Sequence, residues 1–174
     1  MATRKARFKQ AASVLAVAVL LVTGWDVPAS AAGRTGAFNL ISVRGRRCVD
    51  ADTNTIGHDG TRVQLWGCND EPQQHWTFYT DGTIRSSYGG KCLDADTNTI
   101  NRNGTRVQLW RCNGALQQKW RFVAGISVRS RRVISRYSGR CLDADTNTIG
   151  RDGTIVQLWD CNSQSQQDFR ISYP

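Results

Sequence analysis

The chain has 174 residues, with 23 Lys+Arg, 14 Asp+Glu and a formal net charge of +9. It contains 16 Gly, 3 Pro and 6 Cys, and 40% of its residues are apolar. These values exclude a collagen-like chain and a disordered tail.

Residues 1 to about 32 read as a secretory signal peptide. Arg4, Lys5, Arg7 and Lys9 give a positive start, Ala11 to Val22 form a short apolar run, and Ala29-Ser30-Ala31 is a small-residue cleavage site. An uncleaved membrane anchor is the competing reading, but the run falls short of the ~20 residues that span a bilayer. No later segment resembles a membrane span. Residues 33–174 then form the mature protein, 142 residues with a net charge of +6 and all six Cys. That length suits one domain with a real core. Export and an even Cys count point to disulfides in an extracellular protein.

Three segments align without gaps: CVDADTNTIGHDGTRVQLWGCN from Cys48, CLDADTNTINRNGTRVQLWRCN from Cys92 and CLDADTNTIGRDGTIVQLWDCN from Cys141. Sixteen of the 22 positions are the same in all three. Their starts are 44 and 49 residues apart, and the five extra residues lie between Trp120 and Cys141. Within each copy the two Cys are 20 residues apart. The simplest pairing is one bridge per copy, Cys48–Cys68, Cys92–Cys112 and Cys141–Cys161, out of 15 possible connectivities. Each loop closed in this way stabilises by about 3 kcal/mol in the chain-entropy picture.

The local pattern is all-β. Short strands are predicted at Leu40-Ile41, Ile84-Arg85 and Val133-Ile134. Longer ones follow the turns Gly60-Thr61, Gly104-Thr105 and Gly153-Thr154, where Val and Leu alternate with Gln and Trp. A single copy of this length cannot bury its own apolar face, so the three must share a core. A propeller needs about four or more blades, so three copies favour a β-trefoil with three lobes, about 38–80, 81–123 and 124–174.

The Cys-Leu-Asp opening, the Gly-Thr-x-Val-Gln-Leu-Trp strand and a closing Gln-x-Trp together resemble the ricin B-type β-trefoil lectins, including the family-thirteen carbohydrate-binding modules. The closing motif is Gln74-His75-Trp76, Gln118-Lys119-Trp120 and, with Phe in place of Trp, Gln167-Asp168-Phe169. The resemblance covers residues from about Phe38 to Tyr173.

Strand alternation sets Trp66, Trp110 and Trp159 opposite the Val and Leu positions, so these rings face outward. An exposed indole is a platform for the C–H face of a sugar ring. The resemblance implies that Asp50, Asp94 and Asp143 anchor sugar hydroxyls, as charge-assisted acceptors can. It extends hydroxyl-binding roles to Asn69, Asn113 and Asn162. Gln73, Gln117 and Gln166 stand where many binding members of the family carry Asn, one methylene shorter. Gln74, Gln118 and Gln167 are expected to be partly architectural and partly in contact with ligand. The rings Trp76, Trp120 and Phe169 are expected in the core. The second carboxylates, Asp52, Asp96 and Asp145, and Asn54, Asn98 and Asn147 read as loop structure, since Asp-Thr-Asn-Thr hydrogen-bonds its own backbone.

Galactose- or xylose-type glycans are the partners that the resemblance implies, bound by a monomer with up to three sites. Identical residues in three copies suit binding better than a single catalytic centre, and neither His58 nor His75 recurs in the other copies. No catalytic residue is expected, and no cofactor. No metal is expected either: Asp50-x-Asp52-x-Asn54 imitates a calcium loop but has Thr55 where the loop needs Gly and Thr61 where it needs Glu. Arg129, Arg131, Arg132, Arg136 and Arg140 lie close in sequence. They leave open an anionic polymer or surface as partner of the third lobe, or simply a solvated face. No nucleic-acid partner is expected.

Overall fold

A computed structural model of the protein describes residues 33–174. The signal-peptide reading concerns residues 1–32 and lies outside the described residues.

Twelve strands follow the repeats, four to a lobe. Lobe one holds β1 (Asn39–Ser42), β2 (Cys48–Ala51), β3 (Thr61–Trp66) and β4 (Trp76–Phe78). Lobe two holds β5 (Ile84–Ser86), β6 (Cys92–Ala95), β7 (Thr105–Trp110) and β8 (Trp120–Ala124). Lobe three holds β9 (Ser130–Ser135), β10 (Cys141–Ala144), β11 (Thr154–Trp159) and β12 (Phe169–Ser172). A 3-10 turn precedes the last strand of each lobe, at Pro72–Gln74, Leu116–Gln118 and Ser165–Gln167.

The trefoil closes through pairings between lobes. β4 pairs with β5, β8 with β9, and β12 with β1 in the register Ile41 to Arg170. The hairpins β2–β3, β6–β7 and β10–β11 share one register. Their second strands pair with one another around the pseudo-threefold axis, β3 with β7, β7 with β11 and β11 with β3. Each contact begins at an equivalent glycine. The N–H of Gly60, Gly104 and Gly153 reaches the carbonyl of Leu109, Leu158 and Leu65 in turn. All three glycines have φ between +82° and +88°, which a side chain would strain.

The alternation of the long strands fills the core. Val63, Leu65, Val107, Leu109, Val156 and Leu158 are buried, as are Trp76, Trp120 and Phe169. The indole N–H of Trp76 donates to the Val49 carbonyl at 3.0 Å, and that of Trp120 to the Leu93 carbonyl at 2.9 Å. Phe169 fills the same place without a donor. The bridges Cys48–Cys68, Cys92–Cys112 and Cys141–Cys161 are formed, one per lobe, each with Cα atoms 5.1 Å apart.

Candidate functional site

Each hairpin carries a cleft on its outer face. In lobe one, strand register sets Asp50 of β2 directly across from Gln64 of β3. Trp66 follows two residues later on the same face and is 41% exposed. The cleft they form, about 410 Å³, is completed by Asn69 and Gln73 from the segment after the second Cys. The same residues recur in lobe two (Asp94, Gln108, Trp110, Asn113, Gln117; about 320 Å³). They recur again in lobe three (Asp143, Gln157, Trp159, Asn162, Gln166; about 380 Å³).

The carboxylate is held from behind. Asp50 Oδ1 accepts from Gln64 Nε2 at 3.2 Å, and its Oδ2 accepts from Gln74 Nε2 at 3.0 Å. Asp94 is held in the same way by Gln108 and Gln118, and Asp143 by Gln157 and Gln167. An ionised carboxylate has about four acceptor directions, so two remain for hydroxyl groups in the cleft. Burial raises the pKa of all three aspartates above the usual 3.8, and the glutamine hydrogen bonds oppose it. Burial disfavours the charged form, whereas donors to the carboxylate favour it.

Gln74 has no contact left to offer a ligand. It is fully buried, and its second amide hydrogen goes to the Gly67 carbonyl at 2.9 Å. Its Oε1 accepts the Asn69 N–H at 3.0 Å. Gln118 and Gln167 make the equivalent bonds. The expectation that these three glutamines also touch ligand is therefore corrected: they position the aspartate and the Asn segment. The 3-10 turn explains the division of labour, because it sends one Gln of each pair inward and its predecessor (Gln73, Gln117, Gln166) to the cleft.

Asn69 Oδ1 caps the backbone N–H of Glu71 at 3.2 Å, with equivalents at Asn113 and Asn162. All three asparagines line their clefts, and among the described residues no protein acceptor takes their Nδ2. Asp52 and Asn54 form the expected self-bonded loop, with Asn54 N and Nδ2 both donating to Asp52 Oδ1. That loop also forms the cleft rim, as do Asp96/Asn98 and Asp145/Asn147. The residues that sequence reasoning missed are Gln64, Gln108 and Gln157. Their signal was present, since each lies two positions before the Trp of its strand and so on the same strand face.

The three clefts differ at their edges. Arg62 and Gly153 of the neighbouring lobe border the first, and Ile155 borders the third. Gln166 is buried, and its Oε1 has no protein partner, whereas Gln73 and Gln117 are half-buried.

The ricin-type beta-trefoil lectin domain profile matches residues 36–169. The chain belongs to the ricin-type β-trefoil lectin family. Part of the chain is 49% identical over 39 residues to the ribosome-inactivating protein PMRIPt of Polygonatum multiflorum. That match takes in 22% of the chain and 6% of the longer protein, so the chain corresponds to a small part of it. Two solved structures share the fold. The designed threefold-symmetric protein ThreeFoil superposes with a TM-score of 0.73 at 21% identity, covering 80% of this chain and all of ThreeFoil. The ricin B-like lectin of Macrolepiota procera, solved with lactose, superposes with a TM-score of 0.68 at 20% identity, covering 79% and 95%.

Proposed function

We propose that the protein is a secreted, non-catalytic lectin that binds glycans through three equivalent sites. The observation that carries this reading is the threefold recurrence of one cleft: a carboxylate fixed by two glutamines beside an outward Trp. In each site the indole stacks on the C–H face of a sugar, and a pair of vicinal hydroxyls donates to the Asp. Asn Nδ2 donates to a sugar oxygen, and Gln73, Gln117 or Gln166 bonds a further hydroxyl. In the third site the unpartnered Oε1 of Gln166 is an acceptor for a hydroxyl donor. Galactose- or xylose-type sugars are the expected ligands, in keeping with the family relative solved with lactose.

Three shallow sites on one rigid body raise avidity on a repetitive glycan, by up to ~10²–10⁴-fold. The test is a glycan array followed by affinity electrophoresis on the best polysaccharide. Trp66→Ala, Trp110→Ala and Trp159→Ala are each expected to weaken retention, and the triple variant to abolish it. Unchanged retention of the triple variant would sink the reading. Release of reducing sugar by the purified protein would overturn its non-catalytic part.

A further inference from the structure

A fourth cleft, of about 600 Å³, lies over β12 and has no carboxylate in its lining. Arg170 of β12 forms its floor beside Ile41 and Val43. The turn between β1 and β2 supplies Arg46, and the loop between β8 and β9 supplies Val128 and Arg129. Among the described residues none of the three arginines has an acidic partner, and none of their side chains donates to a protein acceptor. The neighbouring arginines of the third lobe are otherwise engaged. Arg132 faces the buried Asp168, Arg140 pairs with Asp160, and Arg136 bonds the Trp120 carbonyl. The run of arginines seen in the sequence is thus dispersed, and the cleft recruits two of its three from elsewhere in the chain.

Two walls of this cleft, the β1–β2 turn and the β8–β9 loop, depart from the repeat. Arg46 occupies a left-handed backbone position, φ +50°, two residues before the first Cys. The equivalent residues in the other lobes are Gly90 and Gly139, with φ of +64° and +72°. Arginine is strained where glycine is the relaxed choice, and Arg46 is the only one of the three left-handed non-glycine residues among the described residues that lines this cleft. The five-residue insertion lengthens the β8–β9 hairpin and brings its tip to the cleft. A buried carboxylate fixes that tip: Asp168 Oδ2 accepts the Ile126 N–H at 3.0 Å, at a position that is His75 and Lys119 in the other lobes. Gly125 at the base of the loop has no room for a Cβ, which would lie 2.6 Å from Asp168 Oδ1.

We propose that this cleft is a fourth ligand site that takes the anionic group of an acidic polysaccharide, a sulfate ester or a uronate carboxylate. Arginine forks match such oxyanions with two parallel hydrogen bonds. Ile41, Val43 and the exposed Val128 offer apolar contact to the sugar ring that carries the charge. The cleft shares no lining residue with the three aspartate sites, so the proposal stands apart from them.

The test is retention on dextran sulfate, polygalacturonate and uncharged dextran, at low and high salt. Retention on either acidic polymer, and weaker retention at high salt, is expected; which polymer retains the protein separates sulfate from carboxylate. The variant Arg46→Gly is expected to raise the melting temperature while weakening retention, a combination that a purely structural arginine would not give. The triple variant R46G/R129Q/R170Q is expected to weaken it further, by about tenfold for each charge-assisted hydrogen bond lost. Val128→Glu, at a residue 91% exposed, places a like charge at the mouth without touching the core and is also expected to weaken retention. A control, R102Q/R121Q/R151Q, removes the same charge from exposed positions elsewhere and is expected to keep most of the binding. Equal loss in the control and the cleft triple variant would overturn the proposal, as would absence of retention on both acidic polymers. Arg46-dependent binding to phosphatidylserine vesicles without retention on either polymer would also overturn it, in favour of a lipid surface.

Discussion

The aspartate clefts and the arginine cleft are built from opposite parts of the same chain. Asp50, Gln64, Trp66 and Gln74 recur at the same positions in all three lobes, and so does their hydrogen-bond pattern. The arginine cleft stands where the lobes disagree, at Arg46 in place of glycine and at an insertion held by Asp168. In a threefold fold, what the copies share is structure and common function together. What a single copy changes is easier to interpret, because the unchanged copies show which residue the fold alone accepts.

The largest effect expected from breaking this contrast is at Asp168. Asp168→Ala leaves Arg132 without its buried partner, and loss of about 3–5 kcal/mol is expected in denaturant unfolding. Binding to the neutral glycan should persist, because Asp168 touches none of the aspartate clefts. Gln118→Ala works on the shared side. It takes a donor from buried Asp94 and a partner from the Asn113 N–H, so a cost of about 1–3 kcal/mol is expected. Titration should then show one glycan site fewer, with the other two intact.

The pH response separates binding from folding. Burial raises the pKa of Asp50, Asp94 and Asp143, so each protonates at a higher pH than an ordinary Asp. Glycan affinity is expected to fall as pH drops through that raised value, because the carboxyl loses acceptor capacity. Stability follows the other sign. Between 3.8 and the raised value the folded state holds more protons than the unfolded one, so these three groups stabilise the fold more as pH falls. Asp81, lowered to about 2 by bonds from Thr83 and Lys119 that outweigh its burial, contributes stability present above 3.8 and lost only as pH falls toward 2. Calorimetry across this range should show binding disappearing before the melting temperature collapses. The smallest effect is expected at the edge of the first cleft. Arg62→Ile copies the third lobe and should change affinity at that site by under about 1 kcal/mol, with reduced salt dependence.

Much of this was legible in the sequence. Strict alternation in Val63-Gln64-Leu65-Trp66 sorts core from surface without any knowledge of the fold, because a strand has period two. A gapless repeat with two cysteines per copy favours one bridge per lobe, since each lobe must solve the same local problem, and the structure has that pairing. Gln74 was harder to place. It and Gln73 are adjacent and chemically alike, and only the 3-10 turn decides which one is buried against the aspartate. β2, β6 and β10 were also hidden, because a four-residue strand buried on both faces shows no alternation.

The sequence by itself therefore determined the threefold repeat, its short strands and the outward Trp of each copy, all of which are local or repeated. It made one bridge per copy the simplest pairing, while the family resemblance singled out the Asp and Asn of each cleft. Only the tertiary structure decided which arginines act together. Arg46, Arg129 and Arg170 are far apart in the chain and meet because β12 pairs with β1 and β9. Closure of the trefoil brings its first and last strands side by side, and no local pattern encodes which side chains then share a cleft.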